Sequence, residues 1–257
     1  MTLATAKPVP THPPAENGVA VHCRGITKTY GKGDNQVYAL RGIDLDIRKG
    51  ELMMLVGPSG CGKTTLISVV AGILDRDAGE CAVFGTDFAK IGQRAKTSWR
   101  GENVGFVFQQ FNLIPTLTAA ENVAVPLMIL GESRSKSVKR AEEVLETVGL
   151  GARAKSMPNQ LSGGQQQRVA ISRALVHKPR LIVCDEPTSA LDHDTGHVIM
   201  RLLKTVALSE NRALVIVTHD ARIFGFADRI AKMDDGRIKE ISIPSIEAKA
   251  EADGVVH

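Results

Sequence analysis

The chain has 257 residues, of which 43% are hydrophobic and 23% are charged. This balance excludes collagenous, disulfide-scaffold and largely disordered proteins, because it supplies enough apolar surface for a real core. The 32 basic and 28 acidic residues leave a net charge of +4, too small an excess to demand nucleic acid as a partner. No apolar stretch approaches the roughly 18 residues of a membrane-spanning helix, and Val125 to Leu130, part of one of the longest, has only six. An action at a membrane would therefore need another protein to cross it.

The two ends of the chain differ from its centre. Residues 1–18 are rich in proline and poor in apolar residues, which predicts a disordered arm and, without an apolar core segment, no secretory signal. Residues 242–257 are polar and rich in alanine and glutamate, and they predict a loose, partly helical tail. None of the four cysteines forms a CxxC pair, which argues against a zinc or redox motif and suits a reducing compartment.

Between these ends the pattern changes from strand to helix and back. Residues 19–48 alternate as strands do, and Leu52–Val56 is a short apolar run bounded by glycine, typical of a buried parallel strand. A helix is predicted from Lys63 to Ala71 and ends at glycine. Residues 95–176 are predicted to be mostly helical.

Strands return in the last third of the chain. Leu181–Cys184 and Leu214–Val217 are predicted strands, with a helix over residues 193–208 between them. Residues 229–241 predict a closing hairpin around an Asp-Gly turn. The order predicts an α/β core that is interrupted by a helical subdomain.

A phosphate-binding loop is predicted where the first buried strand meets the first helix. Residues 57–64 match GxxxxGK[ST], and the glycines would let backbone N–H groups turn towards phosphate at a helix N-terminus. Lys63 would reach the β- and γ-phosphates, and the Thr64 hydroxyl would ligate Mg²⁺. The alternative is a plain glycine-rich turn, which the strand before it and the helix after it disfavour. The predicted phosphate contacts are Gly57, Pro58, Ser59, Gly60, Cys61, Gly62, Lys63, Thr64 and Thr65.

Two carboxylates follow the apolar strand Leu181–Cys184. Asp185 and Glu186 would be costly to desolvate there unless they had a role. Asp185 fits the position that holds Mg²⁺, and Glu186 can accept a proton from an attacking water. An Asp-Glu pair alone is more often a surface pair, but downstream of a phosphate loop the catalytic interpretation is favoured.

A second glycine-containing turn opens a strongly helical stretch. The residues Leu161-Ser162-Gly163-Gly164-Gln165 would present free N–H groups and a hydroxyl at a helix N-terminus. The simpler interpretation is a serine cap, although we expect such a cap to need neither two glycines nor a following glutamine.

With both loops present, the sequence resembles the ATP-binding subunits of ABC transporters over residues 19–241. Residues 105–115 and 165–170 are similar to the ATPases of lipoprotein-releasing and macrolide-efflux systems, and residues 218–230 are similar to the heterocyst-glycolipid-exporter branch. The resemblance implies a P-loop NTPase (RecA-like) core with an N-terminal antiparallel β subdomain and an inserted α-helical subdomain at about 95–176. It also implies a head-to-tail dimer around two ATP molecules, in which Ser162, Gly163, Gly164 and Gln165 contact the nucleotide held by the other copy.

Four further residues take their expected roles from the same resemblance. Tyr30 matches the aromatic residue that stacks on adenine, although a tyrosine beside glycine is often a turn residue. Gln109 matches the glutamine that contacts Mg²⁺ and the lytic water at the hinge of the helical subdomain. Asp192 belongs to the loop that crosses the dimer interface. His219 matches the histidine that senses the γ-phosphate, although a lone histidine at a strand end is usually structural.

The resemblance also implies partners and a place of action. The partners are a second copy, an integral membrane permease contacted by residues 111–118, and a membrane-fusion protein reached through that permease. The site of action is the cytoplasmic face of the inner membrane, with no nucleic acid involved. Two alternatives remain open: a non-transport single-cassette ATPase, as in iron–sulfur assembly, and an unrelated P-loop kinase or GTPase. The kinase or GTPase alternative lacks support, because the chain has the LSGGQ sequence and no NKxD guanine motif.

Overall fold

The computed structural model describes residues 18–207 and 211–245, together with Lys249 and Ala252. Its strands are β1 (Val19–Tyr30), β2 (Val37–Arg48), β3 (Leu52–Val56), β4 (Ala78–Val83), β5 (Thr86–Asp87), β6 (Val104–Val107), β7 (Leu181–Asp185), β8 (Ala213–Thr218), β9 (Arg229–Asp234) and β10 (Arg237–Ser242). Its α-helices are α1 (Lys63–Val70), α2 (Gln93–Asn103), α3 (Ala119–Ile129), α4 (Arg134–Thr147), α5 (Gly163–Leu175) and α6 (His193–Leu202), and α6 continues as a π-helix over Leu203–Ala207. Residue 208, the predicted end of that last helix, lies outside the described residues.

The first sheet is antiparallel and is built on the two long strands that the alternation predicts. Its order is β2-β1-β4-β5, and Val21 of β1 lies between Ile47 of β2 and Val83 of β4. Val21, Cys23 and Ile26 are fully buried, because one face of this sheet packs on the core. The predicted N-terminal antiparallel subdomain is confirmed. Strands β4 and β5, which join it after α1, were not predicted, since they are short and lack a clear alternation.

The second sheet forms the centre of the core, in the order β10-β9-β3-β8-β7-β6. All its neighbouring pairs are parallel except the pair of β10 with β9. Every residue of β3 and β8 is buried, as expected for parallel strands covered on both faces. Leu66 and Ile67 of α1 pack on one face, and Ile171 of α5 and Ile199 of α6 pack on the other.

Helices α3, α4 and α5 form the helical subdomain around a separate apolar cluster that includes Val123, Leu145 and Val169. The prediction that residues 95–176 are mostly helical needs one correction, because β6 lies within that range and pairs with β7. Its four residues are too few to show a period. Gly105 lets this strand lie against α5, since a Cβ there would be 2.2 Å from the carbonyl oxygen of Ala174.

The predicted boundaries at the ends of the chain stay predictions. Residues 1–17 of the arm lie outside the described residues, and so does most of the tail 242–257. Ser242 ends β10. Ala252 is buried and belongs to the same apolar cluster as Phe226, so part of the tail packs on the core.

Candidate active site at the carboxyl edge of the core sheet

The predicted site residues follow the ends of four parallel strands. The registers of β3, β8, β7 and β6 bring their last residues level with one another. The phosphate loop follows β3, Glu186 follows β7, His219 follows β8, and Gln109 comes two residues after β6. The carboxyl ends of parallel strands share one edge of a sheet, which is where α/β proteins bind their ligands. The structure therefore brings these residues to one place.

The phosphate loop, residues 57–65, wraps around the N-terminus of α1. Lys63 is buried, and its Nζ donates hydrogen bonds to the carbonyl oxygens of Gly57 (2.7 Å) and Pro58 (2.8 Å). A Cβ on Gly57 would lie 2.1 Å from a backbone oxygen of β9, and one on Gly62 would lie 2.3 Å from a backbone oxygen of β2. Only glycine fits these two positions, so the loop is held closely against the strands beside it.

Thr64 and Asp185 form the first pair of facing side chains at this edge. The Thr64 hydroxyl donates a hydrogen bond to Asp185 Oδ2 over 3.1 Å. Burial raises the pKa of Asp185 above its ordinary value, and the nearby Glu186 raises it further, while the hydrogen bond from Thr64 lowers it. A half-buried carboxylate beside a hydroxyl is an oxygen donor set of the kind that Mg²⁺ prefers. In the part of the chain that the structure describes, no cluster of three or more His, Cys, Asp and Glu side chains could hold a metal.

Glu186 and His219 form the second pair. His219 Nδ1 donates a hydrogen bond to Glu186 Oε1 over 2.7 Å. Glu186 adopts a left-handed backbone conformation with φ of +51°, which is uncommon for a residue with a side chain and is found where neighbouring structure enforces it. Its side chain is only 12% exposed, whereas that of His219 is 64% exposed. A shielded carboxylate oriented by an imidazole is suited to accept a proton from water.

In the part of the chain that the structure describes, no hydrogen bond joins Tyr30 or Gln109 to either of these pairs. Tyr30 is the last residue of β1 and is 44% exposed, with Lys28 Nζ 5.9 Å from the centroid of its ring. An open ring face is what base stacking requires. Gln109 is exposed after β6. Their predicted contacts with adenine and with Mg²⁺ stay predictions.

The signature loop, residues 161–165, forms the N-terminus of α5. Ser162 caps this helix: its Oγ accepts a hydrogen bond from the backbone N–H of Gln165, and Gln165 Oε1 accepts one from the Ser162 N–H over 2.9 Å. This is a capping box. The expectation that a serine cap has no use for the following glutamine was therefore wrong, because Gln165 completes the box within its own chain.

The two glycines of this loop differ in what surrounds them. A Cβ on Gly164 would lie 2.5 Å from the side chain of Thr195, whereas a Cβ on Gly163 would meet only ordinary contacts at 3.6 Å and beyond. Packing inside the chain explains glycine at 164 and does not explain it at 163.

Asp192 caps α6 in a similar way. Its carboxylate accepts hydrogen bonds from the backbone N–H of Thr195 (3.0 Å) and from the Thr195 hydroxyl (2.8 Å). These hydrogen bonds lower the pKa of Asp192. This cap accounts for an aspartate at the position, and its predicted contact across a dimer stays a prediction.

Sequence reasoning missed two residues that hold the loop after Gln109. Arg173 of α5 donates hydrogen bonds to the carbonyl oxygens of residues 111 (2.9 Å) and 112 (2.6 Å). Asn122 of α3 is fully buried, and its side chain accepts from the N–H of Ile114 (2.7 Å) and donates to the Ile114 carbonyl oxygen (3.1 Å). A single asparagine inside an apolar helical run was the signal that could have identified it, since buried polar groups need partners.

Among the residues described by the structure, none of the helices has both the length and the apolar character that crossing a bilayer requires.

The sequence profile of the family described as ABC transporter matches residues 40–189.

Two curated proteins illustrate the relationship at full and partial length. The lipoprotein-releasing system ATP-binding protein LolD of Chromohalobacter salexigens is 42% identical over 226 residues, which is 88% of this chain and 95% of LolD. The macrolide export ATP-binding/permease protein MacB of Rhodopirellula baltica is 41% identical over 218 residues, which is 84% of this chain and 32% of that longer protein. These relatives do not test the finer resemblance to heterocyst-glycolipid exporters.

Solved structures agree with the predicted fold. The ATP-binding cassette MJ0796 of Methanocaldococcus jannaschii, solved as a dimer in a post-hydrolysis state with ADP and Pi, superposes with a TM-score of 0.79 at 41% identity, covering 87% of this chain and 98% of that one. These matches confirm the P-loop NTPase fold and exclude the unrelated kinase and GTPase classes. The chain belongs to the ABC transporter family, as an ATP-binding and ATP-hydrolysing subunit of the type found in lipoprotein-releasing and macrolide-export systems.

Proposed function

We propose that two copies of this chain close around two MgATP at the cytoplasmic face of the inner membrane and pass that motion to a membrane-embedded permease. The observation that carries the proposal is the meeting of the phosphate loop with two polar pairs, Thr64–Asp185 and Glu186–His219, at one edge of the core sheet. Each pair joins residues that are distant in sequence, and each has a clear use in phosphoryl transfer to water.

Lys63 and the loop amides would bind the phosphates. In the structure the Lys63 ammonium donates hydrogen bonds to two carbonyl oxygens of the loop. A phosphate oxygen is a better acceptor for this group, because it adds the attraction of opposite charges to the hydrogen bond. Tyr30, which is partly exposed at the end of β1, would support the base by stacking.

Thr64 and Asp185 suit a magnesium ion, because both supply oxygen ligands and, among the described residues, no cationic side chain donates a hydrogen bond to Asp185. Mg²⁺ is commonly held by one or two protein oxygens with phosphates and waters completing its shell, so a pair is sufficient. When bound, the ion would neutralise charge on the phosphates. Gln109 would approach it from the end of β6.

Glu186 would act as the general base for the attacking water. Its carboxylate is shielded and is oriented by His219 Nδ1, so a water proton can pass to Glu186 Oε2 while Oε1 keeps its hydrogen bond. Positioned general bases contribute about 10²–10⁴ to a rate.

Support for the dimer comes from the signature loop and from a relative. Glycine at 163 has no steric cause inside this chain, which fits a position approached by a group from another molecule. Among the described residues, no hydrogen bond joins the signature loop to residues 57–65, so each loop would need a second copy to complete its site. MJ0796 is described as dimeric with ADP and Pi.

Support for a permease comes from an apolar groove beside the helical subdomain. A cavity of about 340 Å³ between α2, α3 and α5 is lined by residues that include Ile73, Phe106, Pro126 and Ile129. Ile129 is 76% exposed, the largest value for a large apolar side chain in the described part of the chain. Exposed apolar surface of this kind marks interaction sites. The relatives named for lipoprotein release and macrolide export favour a transporter over iron–sulfur assembly.

Replacing Glu186 with glutamine tests the proposal. E186Q removes the base and keeps the shape, so we expect turnover to fall by at least about 100-fold and a MgATP-bound dimer to accumulate on size-exclusion chromatography. The matched control is K63A, which should lose nucleotide binding and therefore stay monomeric. An E186Q protein that remains monomeric in MgATP would contradict the sandwich and the assignment of the base.

A further inference from the structure

Two buried cysteines that are far apart in sequence face each other in the antiparallel sheet. Cys23 of β1 and Cys81 of β4 are register partners, and their sulfur atoms are 3.7 Å apart. Directly opposed residues in an antiparallel pair have Cα atoms about 4.5–5.5 Å apart, which lies within the range that disulfides span. A bond of about 2.05 Å would need the sulfurs to approach by only about 1.7 Å.

The two thiols are chemically unequal. Cys23 donates its S–H to the Cys81 sulfur, which lowers the pKa of Cys81 and raises that of Cys23; burial raises both, and the Arg76 guanidinium lowers the pKa of Cys81. The thiolate is the form that attacks oxidants. Cys81 is therefore the nucleophile of the pair, and Cys23 is placed to act second.

Cys81 is only 1% exposed, but it is among the residues that line a cavity at the edge of the sheet. Strand β5 pairs with β4 only at Ala82 and Val83, so it does not cover Cys81. The cavity has a volume of about 410 Å³ and is also lined by Gly85 of the turn after β4 and by Thr86 of β5. The volume accommodates a molecule as small as hydrogen peroxide.

We propose that Cys23 and Cys81 are an oxidation site at which hydrogen peroxide forms an intrachain disulfide. The Cys81 thiolate attacks one peroxide oxygen, the O–O bond breaks, and the departing hydroxide takes a proton to become water, leaving a sulfenic acid on Cys81. The Cys23 sulfur then attacks the Cys81 sulfur, the S–O bond breaks, and the departing hydroxide leaves as water with the Cys23 proton. Two thiols lose two electrons, and one peroxide becomes two waters.

The bond would stabilise the part of the fold that holds the phosphate loop. Cys23 and Cys81 are 58 positions apart, and the segment between them contains β2, β3, residues 57–65 and α1. A crosslink across a loop of this length restricts the unfolded chain strongly. Because β1 and β4 are already paired, the folded site keeps its geometry. We expect a rise in Tm of about 5–10 °C on oxidation.

Peptide mapping of the folded full-length protein tests the proposal. After mild peroxide treatment and alkylation without reductant, the Cys23 and Cys81 peptides should appear linked, with a mass about 2 Da below their sum. C23A should lack this species and give a sulfenic acid on Cys81 that dimedone traps, whereas C61A, the control, should still form the linked peptides. The rise in Tm should disappear on reduction.

Two results would overturn the proposal, and the first requires no variant to fold. One is recovery of Cys23 and Cys81 as separate alkylated peptides after the oxidation of the wild-type protein. The other is a linked peptide in which Cys61 or Cys184 replaces either partner.

Discussion

The contrast between Gly163 and Gly164 yields a direct test of the dimer. Alanine at 163 makes only ordinary van der Waals contacts within the chain, since its Cβ would lie 3.6 Å from the nearest side chain. Alanine in a helix is favoured over glycine by up to about 1 kcal/mol, which corresponds to a rise in Tm of about 2–4 °C for a chain of this size. If a nucleotide held by the second copy lies against this position, the same methyl group obstructs it. We expect G163A to be as stable as the wild type, or more stable, and to lose more than about 90% of its ATPase activity, the equivalent of about 1.4 kcal/mol of transition-state stabilisation.

The neighbouring substitution is the matched control. A Cβ on Gly164 would lie 2.5 Å from Thr195 Cγ2, so G164A should lower the Tm through overpacking, at a cost of about 1–3 kcal/mol. Thr195→Ser removes that methyl group while keeping the hydroxyl that donates to Asp192, and it should restore much of the stability of G164A. It should not restore the activity of G163A.

The assays are differential scanning fluorimetry for Tm and phosphate release for ATPase activity, supported by size-exclusion chromatography in MgATP. A folded G163A protein with wild-type turnover would refute the reasoning, because it would show that no external group approaches this glycine during hydrolysis.

Two further predictions concern the groove and the half-buried His177 that lines it. Ile129→Asp changes a highly exposed side chain, so it should alter the free energy of unfolding by less than about 0.5 kcal/mol yet abolish co-purification of a membrane permease in detergent. The control Val198→Asp, which alters another exposed apolar side chain, should still co-purify with the permease. Equal recovery of the permease with both variants would contradict the docking site. Burial lowers the pKa of His177 below its ordinary value of 6.5, with Arg140 and Arg212 adding to the effect, so the unfolded chain binds a proton that the folded chain does not. The free energy of unfolding should therefore fall as the pH drops below about 6.5, by up to about 1.4 kcal/mol per pH unit. His177→Gln should reduce this fall when urea midpoints are compared at pH 5 and pH 7.5. An equal pH dependence in the wild type and the variant would contradict this account.

The sequence was most informative where a local pattern has one physical solution. The apolar run Leu52–Val56, followed by a glycine-rich turn and lysine, predicted a buried strand, a phosphate loop and a helix, and all three elements lie where they were expected. The carboxylates at the end of β7 and the histidine after β8 lie at one edge of the sheet, because parallel strands carry their loops there, and their catalytic roles stay predictions. Their pairing, Glu186 with His219, was not predictable, since it depends on the register between two strands and on an unusual backbone angle.

Prediction failed where the reason for a residue lies in tertiary packing. Strand β6 is too short to show a period, and its place is fixed by pairing with β7. Gln165 was assigned to nucleotide alone, although it also completes a helix cap. The pairing of Cys23 with Cys81 was invisible because the two cysteines are brought together by β4, a strand that the sequence did not reveal.

Helix α5 joins two places that would otherwise be independent. Ser162 caps the N-terminus of this helix. Arg173, in its last turn, donates hydrogen bonds to the backbone carbonyl oxygens of residues 111 and 112. A helix of 13 residues is a stiff rod about 20 Å long, so a tilt imposed at one end displaces the other. By thermodynamic linkage, the coupling between events at the two ends of the helix is reciprocal. If binding of the permease raises the affinity of one copy for the other by some factor, dimer closure must raise the affinity for the permease by the same factor.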